Sequence, residues 1–398
     1  MKLCYSQSDE LFRADIRAWL KEAVPAHGDT PAGSDWVARR EYDTSWQRKL
    51  FDAGYAGISW PEEYGGRGAS LTEQLVYHEE MARARAPYIG VNFVGTLHGG
   101  PTLIVEGTDE QKARYIGRIL RGDDVWCQGF SEPSAGSDLA SLRTRAELRG
   151  DHYVVNGQKI WCSFAQVADY CELLVRTDLD APKHRGITWL IMPMDAPGIE
   201  IRPIRTMLGE GEFSEVYLDD VPVPLENRVG KENDGWRVTN VTLRFERGTA
   251  FASEIYQMQE MITDLARLAK RVTRKDACAW DEDAVLRREV GHLRAELEAL
   301  WAMLKLSVSE ANESGMPGLG GSAIKLCYTE LYQRVGDLAM RLLGRMGLAR
   351  VDVAGLPSAG KFVDNAMHSL SLKVAAGTSQ IQRNIIAERI LGLPREAR

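Results

Sequence analysis

Residues 152–176 read HYVVNGQKIWCSFAQVADYCELLVR, and this stretch differs in composition from the chain on either side of it. Its β-branched and aromatic residues favour strands. Further runs of the same kind follow as ITWLIMPM, IEIRPI and EVYL. Short strands separated by turn residues are typical of a compact β-barrel or sandwich. Because Asn156-Gly157 is a pair that commonly forms a two-residue turn, we expect a hairpin between VV and QKIW.

The chain on both sides of this β-rich zone has helical patterns. Residues 109–120 read DEQKARYIGRIL and follow Thr108, which predicts a helix capped by that threonine. Beyond residue 235 the apolar residues recur at intervals of four and three, as in a helix bundle, at Leu286, Val290, Leu293, Leu297, Leu300 and Leu304. We therefore predict a helical domain over residues 1–121, a β-barrel over 122–233 and a helix bundle over 234–398.

Composition excludes several classes of function. The chain has 398 residues, with Lys+Arg 49 against Asp+Glu 56, and a net charge of −7. It has no basic run typical of a nucleic-acid-binding protein. Residues 86–105 are uncharged, but they contain prolines and glycines, so we interpret them as a buried irregular segment and not a membrane span. The six cysteines include no CxxC pair and no secretion signal is evident, so we expect a cytoplasmic protein without a metal site.

Three motifs occur in order along the chain. Residues 130–138 read FSEPSAGSD, residues 156–163 read NGQKIWCS and residues 377–383 read GTSQIQR. Together they closely resemble the acyl-CoA dehydrogenase family. The resemblance implies an α+β fold with an N-terminal helical domain, a middle β-barrel and a C-terminal four-helix bundle. It also implies FAD as cofactor and α,β-desaturation of an acyl-CoA thioester.

The resemblance also assigns binding roles to residues in these motifs. It implies that three residues, Gln128, Phe130 and Ser131, line the isoalloxazine ring, that Trp161 packs against the flavin and that Ser163 forms a hydrogen bond with it. Ser137 would lie near a phosphate or the CoA pantetheine. Thr378 and Gln380 would contact FAD. Each motif also has a plainer interpretation. The first could be a polar turn, the tryptophan could belong to a strand core, and Thr378 could be a helix cap.

The catalytic base departs from the commonest family pattern. Many members carry a glutamate immediately before the Gly-Thr of the third motif, where this chain has Ala376. A subset that includes isovaleryl-CoA dehydrogenase places the glutamate on an earlier helix, before an arginine. Glu246-Arg247 matches that arrangement, so the resemblance implies Glu246 as the base and Arg247 as a charge near the substrate. The backbone N–H of Ala376 remains available to polarise the thioester carbonyl.

Two elements that serve the adenine half of FAD in the family are altered. The Arg-x-x-Phe-Gly segment is missing from residues 267–283, and the Gln-x-x-Gly-Gly-x-Gly motif is degraded at residues 341–347. In this respect the chain is similar to steroid side-chain dehydrogenases of actinobacteria, which form α2β2 heterotetramers. We therefore expect a tetramer, with a homologous chain as a possible partner and steroid degradation as a possible context.

Other functions on the same fold remain open at this stage. A dehydrogenase would pass its electrons to an electron-transfer flavoprotein, whereas an acyl-CoA oxidase would pass them to oxygen. A non-catalytic subunit that supports a homologous partner's flavin site is a third possibility, favoured by Ala376 and opposed by Glu246. The sequence does not identify the acyl group.

Overall fold

The computed structural model describes residues 5–31, 33, 35–209, 211–245, 251–274, 277–314, 320–352, 355–356 and 359–394. They form two compact units. The sheet unit comprises residues 17–70 and 85–246, and the bundle unit comprises residues 1–16, 71–84 and 247–398. The three domain boundaries drawn from the sequence stay predictions.

Helices and strands follow the order expected from the sequence. The helices are α1 Gln7–Ala23, α2 Trp36–Asp52, α3 Leu71–Arg83, α4 Gly100–Glu106, α5 Asp109–Arg121, α6 Gly235–Phe245, α7 Phe251–Ala269, α8 Ala279–Glu282, α9 Ala284–Ser314, α10 Gly320–Leu343, α11 Ala359–Leu372 and α12 Ser379–Ile385. The strands are β1 Trp126–Gly129, β2 Arg145–Arg149, β3 His152–Ser163, β4 Tyr170–Arg176, β5 Ile187–Pro193, β6 Ile199–Ile204, β7 Phe213–Pro224, β8 Arg228–Val229, β9 Thr273–Arg274 and β10 Ala277–Cys278. A helical N-terminal region, a middle sheet and a helical C-terminal region confirm the α+β class.

The sheet unit is built on a mixed sheet whose strand order is β6-β7-β3-β2-β4-β5-β8, with β1 added in parallel to β4. Inward-facing residues from its strands, among them Cys127, Tyr153, Leu173 and Val216, form one apolar cluster. The long strands β3 and β7 pair antiparallel, with two register shifts in β3. This ladder determines which side chains of the second motif point away from the core.

The prediction of a hairpin turn at Asn156-Gly157 is wrong. Both residues lie inside the continuous strand β3, at the first of its register shifts. The two ends of the Asn156 amide bond the carboxylate and the backbone N–H of Asp220 on β7. A Cβ on Gly157 would lie 2.5 Å from Oγ1 of Thr144, so glycine serves a close approach here and not a turn. The chain reverses instead at Gly150, between β2 and β3, where φ is +65°.

Residues 86–105 are largely buried, as the sequence predicts, but the prediction of an irregular segment is wrong for residues 93–105, which are helical. A 3-10 turn at Gly90–Asn92 precedes a π-helix at Gly95–Gly99, which leads into α4. A Cβ on Gly99 would lie 3.0 Å from the ring of Trp126, so glycine lets this segment pack close to β1. No helix in the described part of the chain is long and apolar enough to span a bilayer.

Two further sequence predictions about helices are confirmed. Thr108 caps α5 through a reciprocal pair of hydrogen bonds with Gln111. In the bundle unit, α7, α9, α10 and α11 surround one apolar core. That core includes every residue of the predicted seam from Leu286 to Leu304, each of which is buried. The described residues bring together no group of three His, Cys, Asp or Glu side chains that could hold a metal ion.

Candidate functional site

A buried ion pair holds the first motif in place. Nζ of Lys159 on β3 lies 2.9 Å from Oε1 of Glu132, with the two side chains 0% and 5% exposed. The Glu132 carboxylate also accepts the backbone N–H of Arg143 at 2.6 Å and of Thr144 at 2.8 Å. Burial alone would raise the pKa of Glu132, but the Lys159 ammonium and the Thr144 hydrogen bonds lower it below its ordinary value. The charge of Glu132 in the first motif is therefore balanced by Lys159, and the hydrogen bonds that its carboxylate accepts hold the motif against the backbone of residues 143 and 144.

The same contacts connect Phe130 and Ser131 to the second motif. Lys159 donates to the carbonyl of Phe130 at 3.1 Å, and the N–H of Ile160 donates to the carbonyl of Ser131 at 3.0 Å. The Phe130 side chain is buried and that of Ser131 is half-buried. These bonds bring Phe130 and Ser131 beside the residue that precedes Trp161, so the first two motifs are neighbours in the sheet unit.

Trp161 is placed on the surface by a strained backbone. It lies at the second register shift of β3, with φ at +61°, and its side chain is 54% exposed. Its ring lies edge-on to the ring of Phe213, with the centroids 6.0 Å apart. The interpretation of this tryptophan as strand core is therefore wrong. A large aromatic ring held outward by a bulge is a surface that a planar ligand can stack on.

The remaining candidates of the sheet unit have different surroundings. Ser163 is half-buried at the end of β3 and pairs in register with Phe213. Ser137 is exposed in the loop that ends the first motif. The neighbouring Asp138 accepts a bond from the Ser141 hydroxyl at 2.6 Å and pairs with Lys183. Ser137 therefore lies on an ordered polar turn, and its proposed phosphate or pantetheine contact stays a prediction.

In the bundle unit, the third motif forms the start of α12. Thr378 caps this helix, since its Oγ1 accepts the N–H of Ile381 at 3.2 Å, which confirms the capping interpretation. Gln380 is exposed on the first turn. Their contacts with FAD stay predictions.

Ala376 precedes that cap in a left-handed conformation. Its φ is +51°, and that of Gly377 is +84°. Gln382 donates to the carbonyl of Ala376 at 3.0 Å, and Lys325 donates to that of Gly377 at 2.7 Å, so the turn is held by buried side chains. Within the described residues the N–H of Ala376 makes no hydrogen bond, and the residue is exposed. The turn thus presents a free backbone donor.

Glu246 and Arg247 lie outside the described residues. They fall between α6, which ends at Phe245, and α7, which begins at Phe251.

Sequence reasoning missed three groups of buried polar residues. One is the Glu132–Lys159 pair, although both residues lie within the quoted motifs. The second joins Gln128 to Glu172 and His98 on the face of β1 that is turned away from the apolar cluster of the sheet. The third is in the bundle unit, where the Tyr328 hydroxyl donates to Glu254 at 2.8 Å; burial raises the pKa of Glu254 and this bond lowers it in part. Pattern and periodicity do not identify these groups, because their members are far apart in the chain.

Comparison with known proteins gives one consistent result. Residues 6–123, 127–221 and 233–391 match the N-terminal, middle and C-terminal domain models of acyl-CoA dehydrogenases. The acyl-CoA dehydrogenase IpdE1 of Mycobacterium tuberculosis is 38% identical over 98% of this chain and 100% of that protein. The ChsE4–ChsE5 complex of Mycobacterium tuberculosis has a TM-score of 0.82 and 34% identity, covering 100% of both chains. The Tcur3481–Tcur3483 steroid acyl-CoA dehydrogenase has a TM-score of 0.85 and 33% identity, also covering 100% of both chains.

Proposed function

The chain belongs to the acyl-CoA dehydrogenase family, and on that premise we propose that it desaturates an acyl-CoA thioester at Cα–Cβ with Glu246 as the catalytic base. It is an enzyme of this family, and FAD is its cofactor. The observation that carries the proposal is the turn at Ala376. It presents a free N–H at the position where many members carry their glutamate, but its methyl group cannot accept a proton.

The chain's own residues have to hold the thioester and remove its α-proton. The N–H of Ala376 donates to the thioester carbonyl, and this bond strengthens as negative charge develops on that oxygen. The carboxylate of Glu246 removes the α-proton, which the polarised carbonyl makes more acidic. Arg247 contributes positive charge near the substrate. When bound, FAD supplies the acceptor for the β-hydride.

The sheet unit offers a set of residues that fits a flavin ring. Trp161 gives an exposed aromatic face, and the clamped backbone of Phe130 and Ser131 lies beside it. Ser163 adds a hydroxyl at the end of β3, and Gln128 adds an amide on β1. Ser137, Thr378 and Gln380 complete the proposed FAD and CoA contacts by family resemblance.

Substitution of the base tests this assignment. Glu246→Gln should retain bound FAD but reduce the rate of flavin bleaching by acyl-CoA by about 10³-fold or more, because the amide cannot take the proton. Anaerobic stopped-flow absorbance measures this rate. Glu254→Gln is the control, since it removes a carboxylate of α7 by the same change and should leave the rate within about threefold of the wild type. Near-normal bleaching by Glu246→Gln would exclude Glu246 as the base.

We further propose an α2β2 assembly with a homologous chain. Two motifs that serve the adenine half of FAD are altered in this sequence. The matching ChsE4–ChsE5 and Tcur3481–Tcur3483 structures contain two different chains. Expression alone and together with a homologous chain, followed by light scattering and flavin quantification, tests the assembly. A stable homotetramer with one FAD per chain would contradict it.

The proposed substrate is a steroid-type acyl-CoA, and the proposed acceptor is an electron-transfer flavoprotein. Support for the substrate comes from the steroid acyl-CoA dehydrogenase that matches along the whole chain. A panel of steroid, branched and straight-chain acyl-CoA thioesters, assayed with the flavoprotein and with oxygen as acceptors, tests both points. Preference for straight-chain substrates would contradict the first, and stoichiometric peroxide would contradict the second.

A further inference from the structure

Three polar residues meet on the face of β1 that is turned away from the apolar cluster of the sheet. Gln128 on β1 and Glu172 on β4 are register partners in parallel strands, so their side chains lie next to each other. Because side chains alternate along a strand, Cys127 points into the apolar core and Gln128 points the other way. The π-helix Gly95–Gly99 brings His98 to the same place. Three separate elements thus converge on one amide.

The contacts determine how this amide is turned. Nε2 of Gln128 lies 2.7 Å from Oε1 of Glu172 and 3.1 Å from Nδ1 of His98. Nδ1 of His98 lies 3.3 Å from the same Glu172 oxygen. In this bond to Glu172 the NH2 group of the amide donates and the carboxylate oxygen accepts, so the NH2 group is the edge of the amide that faces Glu172. The carbonyl oxygen of Gln128 must therefore point away from Glu172 and His98.

Two buried ionisable side chains, His98 and Glu172, contact the half-buried amide of Gln128. His98 is 2% exposed and Glu172 is 0% exposed. Burying such groups is unfavourable unless their partners are well placed. Oε1 of Gln128, in contrast, receives no hydrogen bond from any described residue. On the buried side the NH2 group donates to Glu172 and lies beside His98, and on the open side the amide presents an acceptor.

We infer that Glu172 and His98 are positioning residues that hold Gln128 with its carbonyl oxygen outward, as the acceptor for an N–H group of the flavin ring. The oxidised isoalloxazine ring carries one such group, at N3. The inference rests on the proposed cofactor site and adds to it the two residues that set the polarity of Gln128. Without them the amide could turn over and present its NH2 group, which cannot accept this hydrogen bond.

A double-mutant cycle on FAD affinity tests the inference. Gln128→Met removes the acceptor at similar length, Glu172→Gln removes the charge that sets the amide orientation, and the third variant combines both. Deflavinated full-length protein is titrated with FAD by fluorescence, and the visible spectrum of the bound flavin is recorded. Each single variant should weaken binding about threefold to tenfold, as expected for one hydrogen bond. The double variant should bind no more weakly than Gln128→Met alone, because Glu172 acts through Gln128.

The controls separate positioning from general damage. Glu200→Gln removes an exposed carboxylate from β6 of the same sheet and should not change FAD affinity. Effects of Gln128→Met and Glu172→Gln that simply multiply, or no effect of Glu172→Gln, would overturn the positioning role. If Glu172→Gln does not fold, His98→Asn takes its place in the same cycle. If the wild type does not bind FAD alone, the titrations are made on the protein co-expressed with the homologous chain; a wild type that binds no FAD in either form would contradict the proposed site itself, a result distinct from additivity.

Discussion

Breaking the Glu132–Lys159 pair should destabilise the sheet unit strongly. Lys159→Met keeps the length of the side chain but removes the cation that pairs with the buried carboxylate of Glu132, which still accepts the backbone N–H groups of Arg143 and Thr144. Removal of one partner of a buried ion pair costs about 3–5 kcal/mol. For a unit of this size, about 2–4 °C of melting temperature corresponds to 1 kcal/mol, so we expect a decrease of about 6–20 °C.

Thermal unfolding of the purified flavoprotein at pH 7, followed by circular dichroism, measures this decrease. Lys183→Met is the matched control, because it breaks the ion pair with Asp138 in which the side chains are 37% and 57% exposed. Exposed pairs contribute about 0–1 kcal/mol, so this control should melt within about 4 °C of the wild type. Equal melting temperatures for Lys159→Met and Lys183→Met would refute the stabilising role of the buried pair.

The pH dependence gives an independent check of the same pair. In the wild type the pKa of Glu132 is lowered, so its contribution to stability is present above the unfolded value of about 4.3 and is lost as the pH falls through the folded value. In Lys159→Met the lysine is gone, so nothing from it opposes the effect of burial, which raises the pKa of Glu132. Protonation of Glu132 on acidification then removes the buried charge and recovers part of the lost stability of the variant. The difference from the wild type should therefore shrink between pH 7 and pH 5. A difference that grows on acidification would show that another group causes the loss.

Three more predictions follow from single positions. Gly157→Ala should destabilise the protein by about 1–3 kcal/mol, because its Cβ would lie 2.5 Å from Thr144 Oγ1, whereas Gly136→Ala, with open space around it, should be nearly neutral in thermal melts. Glu254→Gln should raise the melting temperature above about pH 5, because a raised folded pKa penalises the carboxylate there, and the gain should vanish near pH 4; a gain that persists at pH 4 would contradict this. Trp161→Gly should raise the melting temperature of the apoprotein, because glycine adopts a φ of +61° without strain. The same variant should bind FAD at least tenfold more weakly in titrations, and an unchanged affinity would contradict the stacking role of the tryptophan.

Local patterns predicted much of the fold because their causes are local. The Thr108 cap depends on residues three apart, and the seam of α9 depends on a period of three to four residues. The error at Asn156-Gly157 has the opposite origin. That pair favours a turn by itself, but pairing with Asp220, sixty-four residues later, holds it in a strand.

The buried polar contacts of the candidate site depend on long-range pairing in the same way. Glu132 meets Lys159 across twenty-seven residues, and Gln128 meets Glu172 across forty-four. Such pairs are determined by strand order and register, which no sequence window contains. Family resemblance suggests which surface residues belong to the proposed site, whereas the buried groups bonded to them become visible only in the folded chain.

Backbone strain occurs at two residues of the candidate site, Trp161 and Ala376, and at four other residues of the described chain that are not glycine. Positive φ at a residue other than glycine costs about 1–3 kcal/mol and persists only where surrounding contacts impose it. Asp220 is held in this conformation by Asn156, and Phe164 is buried and bonded to the carbonyl of Glu212. Trp161 is different, because its side chain is 54% exposed although its backbone is strained, and its ring lies edge-on to that of Phe213. We therefore expect a planar ligand that stacks on this ring to supply a compensating contact.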